Sequence, residues 1–149
     1  MNVRHLALLG TIGLGAFGCT STDYYKAAPT ANAQTAATVA AGQTPLLGFA
    51  RVVRAGITRV DDKAAPAASF ERPFLIAPGR HRIVITAQMG AETVAATTDY
   101  VFEAGRSYIA RATDIRDGAA EVWLEDEKSG QPGGNKFRAT TAVSVPAPR

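Results

Sequence analysis

Few side chains in this sequence could do chemistry. Its imidazoles are His5 and His81, and its one thiol is Cys19. Nucleophilic hydrolysis needs a base within hydrogen-bond reach of the nucleophile, and a metal site needs several ligands converging on one point. His81 opens an alternating segment on the face shared by Ile83 and Ile85, where a place at the edge of the core competes with a chemical role. The adjacent acids are Asp61-Asp62 and Glu125-Asp126-Glu127. Neighbours on a strand point to opposite faces, so both runs read as solvated strand ends rather than paired carboxylates. Asp61-Asp62 also lacks the spacing and closing glutamate of a calcium loop. No phosphate loop, nucleophile elbow or dinucleotide fingerprint occurs. The expectation is a protein without catalytic residues, metal or cofactor, and with no small-molecule ligand that the sequence identifies.

Binding residues are easier to find. In "AEVWLED", Trp123 alternates with Val122 and Leu124. If those two face the core, Trp123 points outward, and exposed tryptophans are enriched at interface centres. In the opposite register, or under a covering loop, Trp123 is a packing residue. Arg80 and Arg82, with Arg72 nearby in sequence, form a candidate basic patch. Asp99 and Glu103 would face it if their strands pair, as opposite charges do on solvated faces.

The elements that carry these residues read as short strands. Leu47–Val53 and Ile57–Val60 are strand candidates, "DDK" turns the chain, and a short strand near Phe74 ends at "APG". Pro78-Gly79 suits a turn that needs positive φ at glycine. "RHRIVITA" alternates most clearly, with His81, Ile83, Ile85 and Ala87 on one face, and "ATTDYVFE" and "SYIARA" alternate too. Asp117-Gly118 is a hairpin signal. Six or seven strands at this spacing predict an all-β domain, a small antiparallel β-sandwich or barrel, over residues 46–128.

That segment carries 11 Lys and Arg against 12 Asp and Glu, a balance of −1, so the overall charge of +3 comes from the ends of the chain. A nucleic-acid binder gathers its basic residues on the folded domain, and none is predicted here.

The front of the chain reads as an address. Residues 1–18 place Arg4 ahead of the uncharged run "LALLGTIGLGAF", 12 residues long. That suits the ~7–15 residues of a signal h-region and falls short of a membrane span. "AFGC", residues 16–19, resembles the lipobox of bacterial lipoproteins, with Gly18 before Cys19. Ala16 stands where that family usually has leucine, and Phe17 where it usually has a small residue. The resemblance implies cleavage before Cys19, a diacylglyceryl thioether on its sulfur, and three acyl chains in all. Thr20 rather than aspartate after the cysteine implies the outer membrane, with the domain facing the periplasm. Two other readings stand beside it: an ordinary cleavage site in "ANAQ", residues 31–34, and a buried thiol.

Residues 19–45 are rich in Ala and Thr and show no apolar period, which predicts a linker. The 26 residues from 20 to 45 would stretch to ~85–90 Å. Tyr24 and Tyr25 would lie at the headgroups or in solvent. Residues 129–149 contain Gly and Pro and read as a flexible tail, with Phe137–Val145 as an alternative last strand.

The pattern "ITRVDD … PFLIAPGRHRIVI … VFEAGRSYIARA … AEVWLEDE" resembles small immunoglobulin-like domains of bacterial lipoproteins, including PEGA-like and transthyretin-like forms. Gly79, Gly105 and Tyr108 carry the likeness, and it implies an Ig-like sandwich and no activity. The predicted function is a lipid-anchored, non-enzymatic binding or scaffolding module with the membrane and an envelope protein as partners. The alternative is an envelope enzyme or sugar-binding domain that uses surface carboxylates.

Overall fold

Alternation organises the middle of the chain as the sequence predicts. Ile83, Ile85 and Ala87 are fully buried, while Arg80, Arg82 and Gln88 face solvent. The computed structural model describes residues 23–45, 52–67, 69–116 and 118–141. The expected export segment and Cys19 therefore lie outside the described residues, as do residues 20–22, 46–51, 68, 117 and the last eight.

Among the described residues ten strands follow in order: β1 (Ala37–Pro45), β2 (Val52–Val60), β3 (Lys63–Ala64), β4 (Phe74–Ile76), β5 (Gly79–Met89), β6 (Glu92–Phe102), β7 (Ser107–Arg116), β8 (Ala119–Asp126), β9 (Gln131–Pro132) and β10 (Phe137–Thr141). The protein is all-β. Seven strands close on themselves in the order β1-β2-β5-β6-β10-β8-β7 and back to β1. The short strands β3, β4 and β9 pair onto β2, β1 and β8. Of the neighbours, only β1 and β7 run parallel.

The wall is thus a closed barrel and not the open Ig-like sandwich expected. Two strands make the difference. The first part of β1 pairs with β7 and β4, and its last four residues turn away to pair with β2. The strand β10 likewise pairs first with β8 and then, at Thr140 and Thr141, with β6. Each is a corner joining two walls, as in sheets whose strands cross at a bend. The first corner is at Gly42. A Cβ there would stand 2.3 Å from the carbonyl oxygen of Ala110, so only glycine lets β1 cross so close to β7.

The first corner strand comes from a segment whose composition predicts no structure, and the second, β10, falls within the alternative last strand over Phe137–Val145. The linker expected over 19–45 contains β1, and the tail expected over 129–149 contains β9 and β10. The reason is side-chain size. The inward residues of β1 and β10 include Ala37, Val39 and Ala139, all buried, and the larger residues around them supply the bulk. Small side chains give a weak apolar period, and tertiary pairing decides such strands.

The two strand candidates flanking Gly56 also merge, into β2. Gly56 sits mid-strand because the Phe70 ring lies across it, 3.0 Å from where a Cβ would be. Arg54 covers that ring from 5.9 Å and donates a hydrogen bond to the Phe70 carbonyl.

The barrel is solid. Phe102, Ile57, Ile83, Ile85, Leu124 and Val122 fill it, each at most 2% exposed. Burial of one such side chain contributes about 1.5–3 kcal/mol. The turns follow the sequence. Gly79 has φ 119°, Gly118 has φ 67°, and Asp61 and Asp62 have φ 48° and 64° in a two-residue turn between paired Val60 and Lys63. Two successive positive φ values fit the right-handed twist of a hairpin.

Residues 23–36 pack as an arm on the barrel end where β1 and β5 begin. Tyr25 is only 8% exposed and belongs to the core. Its N–H donates to the Ala64 carbonyl at 2.7 Å, and its hydroxyl accepts from the Ala77 N–H at 3.0 Å. Asp23 pairs with Lys63 at 3.1 Å. Tyr25 is therefore neither at a lipid headgroup nor in solvent. Asn32 caps the following turn, its side-chain oxygen accepting from the Gln34 and Thr35 N–H groups.

Candidate interaction site

Trp123 lies on the outside of the barrel. Val122 and Leu124 are buried, so the period of two turns Glu121, Trp123 and Glu125 outward. The ring is half-buried, because the supposed tail returns over it: Lys136 Nζ stands 4.5 Å above its centroid. Lys136 also pairs with Glu121 at 3.3 Å. Directly across on β7, Arg111 is the register partner of Trp123. Its guanidinium meets Glu125 at 3.1 Å and donates to the Gln43 carbonyl at 3.0 Å. An aromatic plane is thus framed by two ion pairs, with one flexible lysine as its cover. Such a cation–π contact contributes about 0.5–1 kcal/mol when exposed, so displacing the cover costs little.

Arg80 and Arg82 face outward on β5 with different neighbours. Arg82 is in register with Asp99 and approaches it to 3.7 Å, whereas Arg80 is opposite Val101, which is 55% exposed. Arg82 is grouped instead with Arg59, Asp62, Val84 and Thr97 around a shallow hollow. Glu103 pairs with Arg106 rather than with this face.

His81 sits at the core's edge, its side chain 13% exposed. Tyr25 packs edge-on against it at 6.0 Å and Phe102 tilts over it at 6.1 Å. Nδ1 meets Asp61 Oδ2 at 2.5 Å, and Nε2 meets the Ala77 carbonyl at 2.9 Å. Both ring nitrogens are committed to neighbours in this arrangement, so the ring works as a clasp. The other Asp61 oxygen accepts from the Arg82 N–H at 3.0 Å. Asp61 is then a turn residue with three jobs and not merely a solvated strand end.

The second acidic run also separates by role. Glu125 pairs outside with Arg111, while Asp126 turns inward at the barrel mouth. Asp126 accepts from Arg106 at 3.1 Å and from the Ser129 N–H at 2.9 Å. The Ser129 N–H chiefly, with Arg106, holds its carboxyl below the usual range. Below it, Tyr100, Phe102 and Tyr108 pack with centroids 4.9–5.6 Å apart. Burial first, then the charges of Tyr108, Asp126 and Glu103, pushes the Tyr100 hydroxyl up to about 12. The loop after β9 closes over this ring, and a Cβ on Gly133 would stand 2.2 Å from the Tyr100 hydroxyl oxygen. Gly105, Arg106, Ser107 and Asp126 to Ser129 line an open polar concavity of about 720 Å³ at this end. Among the described residues, no three His, Cys, Asp or Glu side chains converge as a metal ion would require.

Sequence reasoning misses the clasp, the Tyr25 plug and the Arg106–Asp126 pair. A Tyr-Tyr pair in an otherwise Ala- and Thr-rich stretch is the one local signal for the plug, since large aromatics seek burial. The other two depend on residues about 20 apart being neighbours. The candidate lipidation site, Cys19, lies outside the described residues. Comparison with protein-family models, with curated proteins and with solved structures finds no match.

Proposed function

We propose that this protein is a lipid-anchored envelope module that binds or scaffolds a protein partner through its outer surface and carries out no catalysis. In this reading Cys19 holds acyl chains at the outer membrane and the barrel stands in the periplasm. Tyr25 carries the argument. It is a core residue only six positions after Cys19. A mature chain beginning at Cys19 keeps that plug. Cleavage in "ANAQ" after Ala33 would delete it and expose His81 and the barrel end.

The filled interior adds a second support. With Phe102, Ile83, Ile85 and Leu124 packed inside, recognition falls to the outer faces. Trp123 under Lys136 offers an aromatic anchor with a removable cover, the composition of interface centres. The likeness to Ig-like lipoprotein domains belongs to this reading at the level of strand pattern and turns, the wall itself being closed.

Capture of the native lipidated protein after mild crosslinking tests the reading, with Trp123→Ala and Cys19→Ser alongside. A defined envelope protein should be recovered with the wild type and lost with either variant. Recovery unchanged by both substitutions contradicts it. The sugar-binding alternative has one observation in its favour, the polar concavity beside Arg106 and Asp126. Saccharide-dependent shifts of Arg106 and Ser129 resonances would favour it instead.

A further inference from the structure

The directions of the strands define two ends of the barrel. β5 begins at Gly79 beside the arm and ends at Met89, and β6 returns to Phe102. β2 arrives at the arm end with Val60, and β7 leaves it with Ser107, in register with Thr38 of β1. The Asp61-Asp62 turn and the turn over residues 103–106 therefore share the arm's end. The turn at Gly90-Ala91 and the exit of β10 at Thr141, in register with Val94, lie at the other. β5 has 11 residues, so the ends are separated by up to ~36 Å, less the strand tilt.

The chain touches the barrel from Asp23 and Tyr24, both exposed, and Tyr25 is buried. Asp23 pairs with Lys63, and Tyr24 bridges Ala64. Only four steps of chain separate Cys19 from Asp23, a reach of at most ~14 Å. This is far shorter than the ~85–90 Å that a 26-residue linker would allow. Resting on the lipid anchor proposed above, we infer that the barrel is held end-on against the phospholipid headgroups. The arm end faces the bilayer, and the Gly90-Ala91 end faces away.

The chemistry of the arm end fits a lipid headgroup surface. Two ion pairs lie there, Asp23 with Lys63 and Glu103 with Arg106, and Asp61 is bound to the His81 ring. Tyr24 remains 39% exposed there, and tyrosine with one apolar and one wet end suits the headgroup level. The contact is set by tether length and an aromatic.

The test uses the full lipidated chain in phosphatidylcholine vesicles that carry a headgroup spin label. Acylation occupies Cys19, so an introduced Ala104→Cys or Ala91→Cys takes a single fluorophore. Mass spectrometry of the same sample reads Cys19. The arrangement predicts quenching at position 104 several-fold above that at 91. A 20-residue Gly/Ser insertion between Thr22 and Asp23 should abolish the difference. With Cys19 acylated, equal quenching at both positions, or a difference that survives the insertion, overturns the orientation and leaves the anchor standing. A bare thiol at Cys19 overturns both.

Discussion

Asp61 Oδ2 and His81 Nδ1 meet at 2.5 Å, joining the β2–β3 turn to the start of β5. The other ring nitrogen faces the Ala77 carbonyl, whose own N–H donates to the Tyr25 hydroxyl. One imidazole thus couples a strained two-residue turn, the loop before β5 and the N-terminal arm. The clasp explains how a segment with little apolar content is fixed to the barrel.

Removal of this clasp should loosen the arm before it unfolds the barrel. His81→Ala is expected to destabilise the protein by about 1–3 kcal/mol, the cost of an orphaned hydrogen-bonded partner. Hydrogen exchange should show the Tyr25 amide losing protection well ahead of Ile83 and Ile85. Equal loss across all three would mean that the arm has no separate dependence on His81.

At the first corner, Gly42→Val should be among the most damaging single changes. The added carbons meet the Ala110 carbonyl and the Ile109 side chain, at 2.3 and 2.8 Å from the Cβ position. Overpacking of this kind costs about 1–3 kcal/mol or more. Urea denaturation should show a lower midpoint, and a midpoint equal to that of the wild type would contradict the corner.

Alkaline pH should weaken the barrel through Tyr100. Its folded pKa, about 12, lies above the ordinary 10.0, so its contribution is complete below pH 10 and is lost as pH rises toward 12. The full loss is about 2–3 kcal/mol. Tyr108 is shifted in the same direction, chiefly by burial. Stability measured by denaturant between pH 9 and 12 should fall less steeply in Tyr100→Phe.

Acid should act at the same end through Asp126. Its folded pKa is lowered, so its contribution is present above the ordinary value of 3.8 and disappears as pH falls through the folded value. Asp126→Asn should remove that part of the acid dependence, read from thermal melts between pH 2 and 6.

Lys136→Ala should uncover Trp123. Acrylamide quenching of the single tryptophan should rise, with little change in stability, since the cation–π contact contributes about 0.5–1 kcal/mol. Unchanged quenching would mean that the ring has another cover.

Much of this architecture was legible where side chains alternate in size and polarity. Ile83, Ile85 and Ala87 against Arg82, Val84 and Thr86 announced β5, and Asp117-Gly118 announced the β7–β8 hairpin. Trp123 was placed correctly on the condition that Val122 and Leu124 face inward, and they do. Of the closing strands, β1 was not legible, because Ala37 and Val39 are too small to mark a face, whereas β10 falls within the alternative last strand over Phe137–Val145. Composition also misled at Tyr25, where one aromatic in a polar stretch reaches Ala64 and Ala77, about 40 and 50 positions away. Long-range contacts of this kind leave no period in the sequence.

The lipid anchor at Cys19 is the claim on which location, orientation and partner presentation depend. Mass spectrometry of the N-terminal peptide from the native membrane fraction tests it most directly. The expected result is a chain that starts at Cys19 and carries a diacylglyceryl thioether. A chain that starts elsewhere, or a free thiol at Cys19, would contradict it.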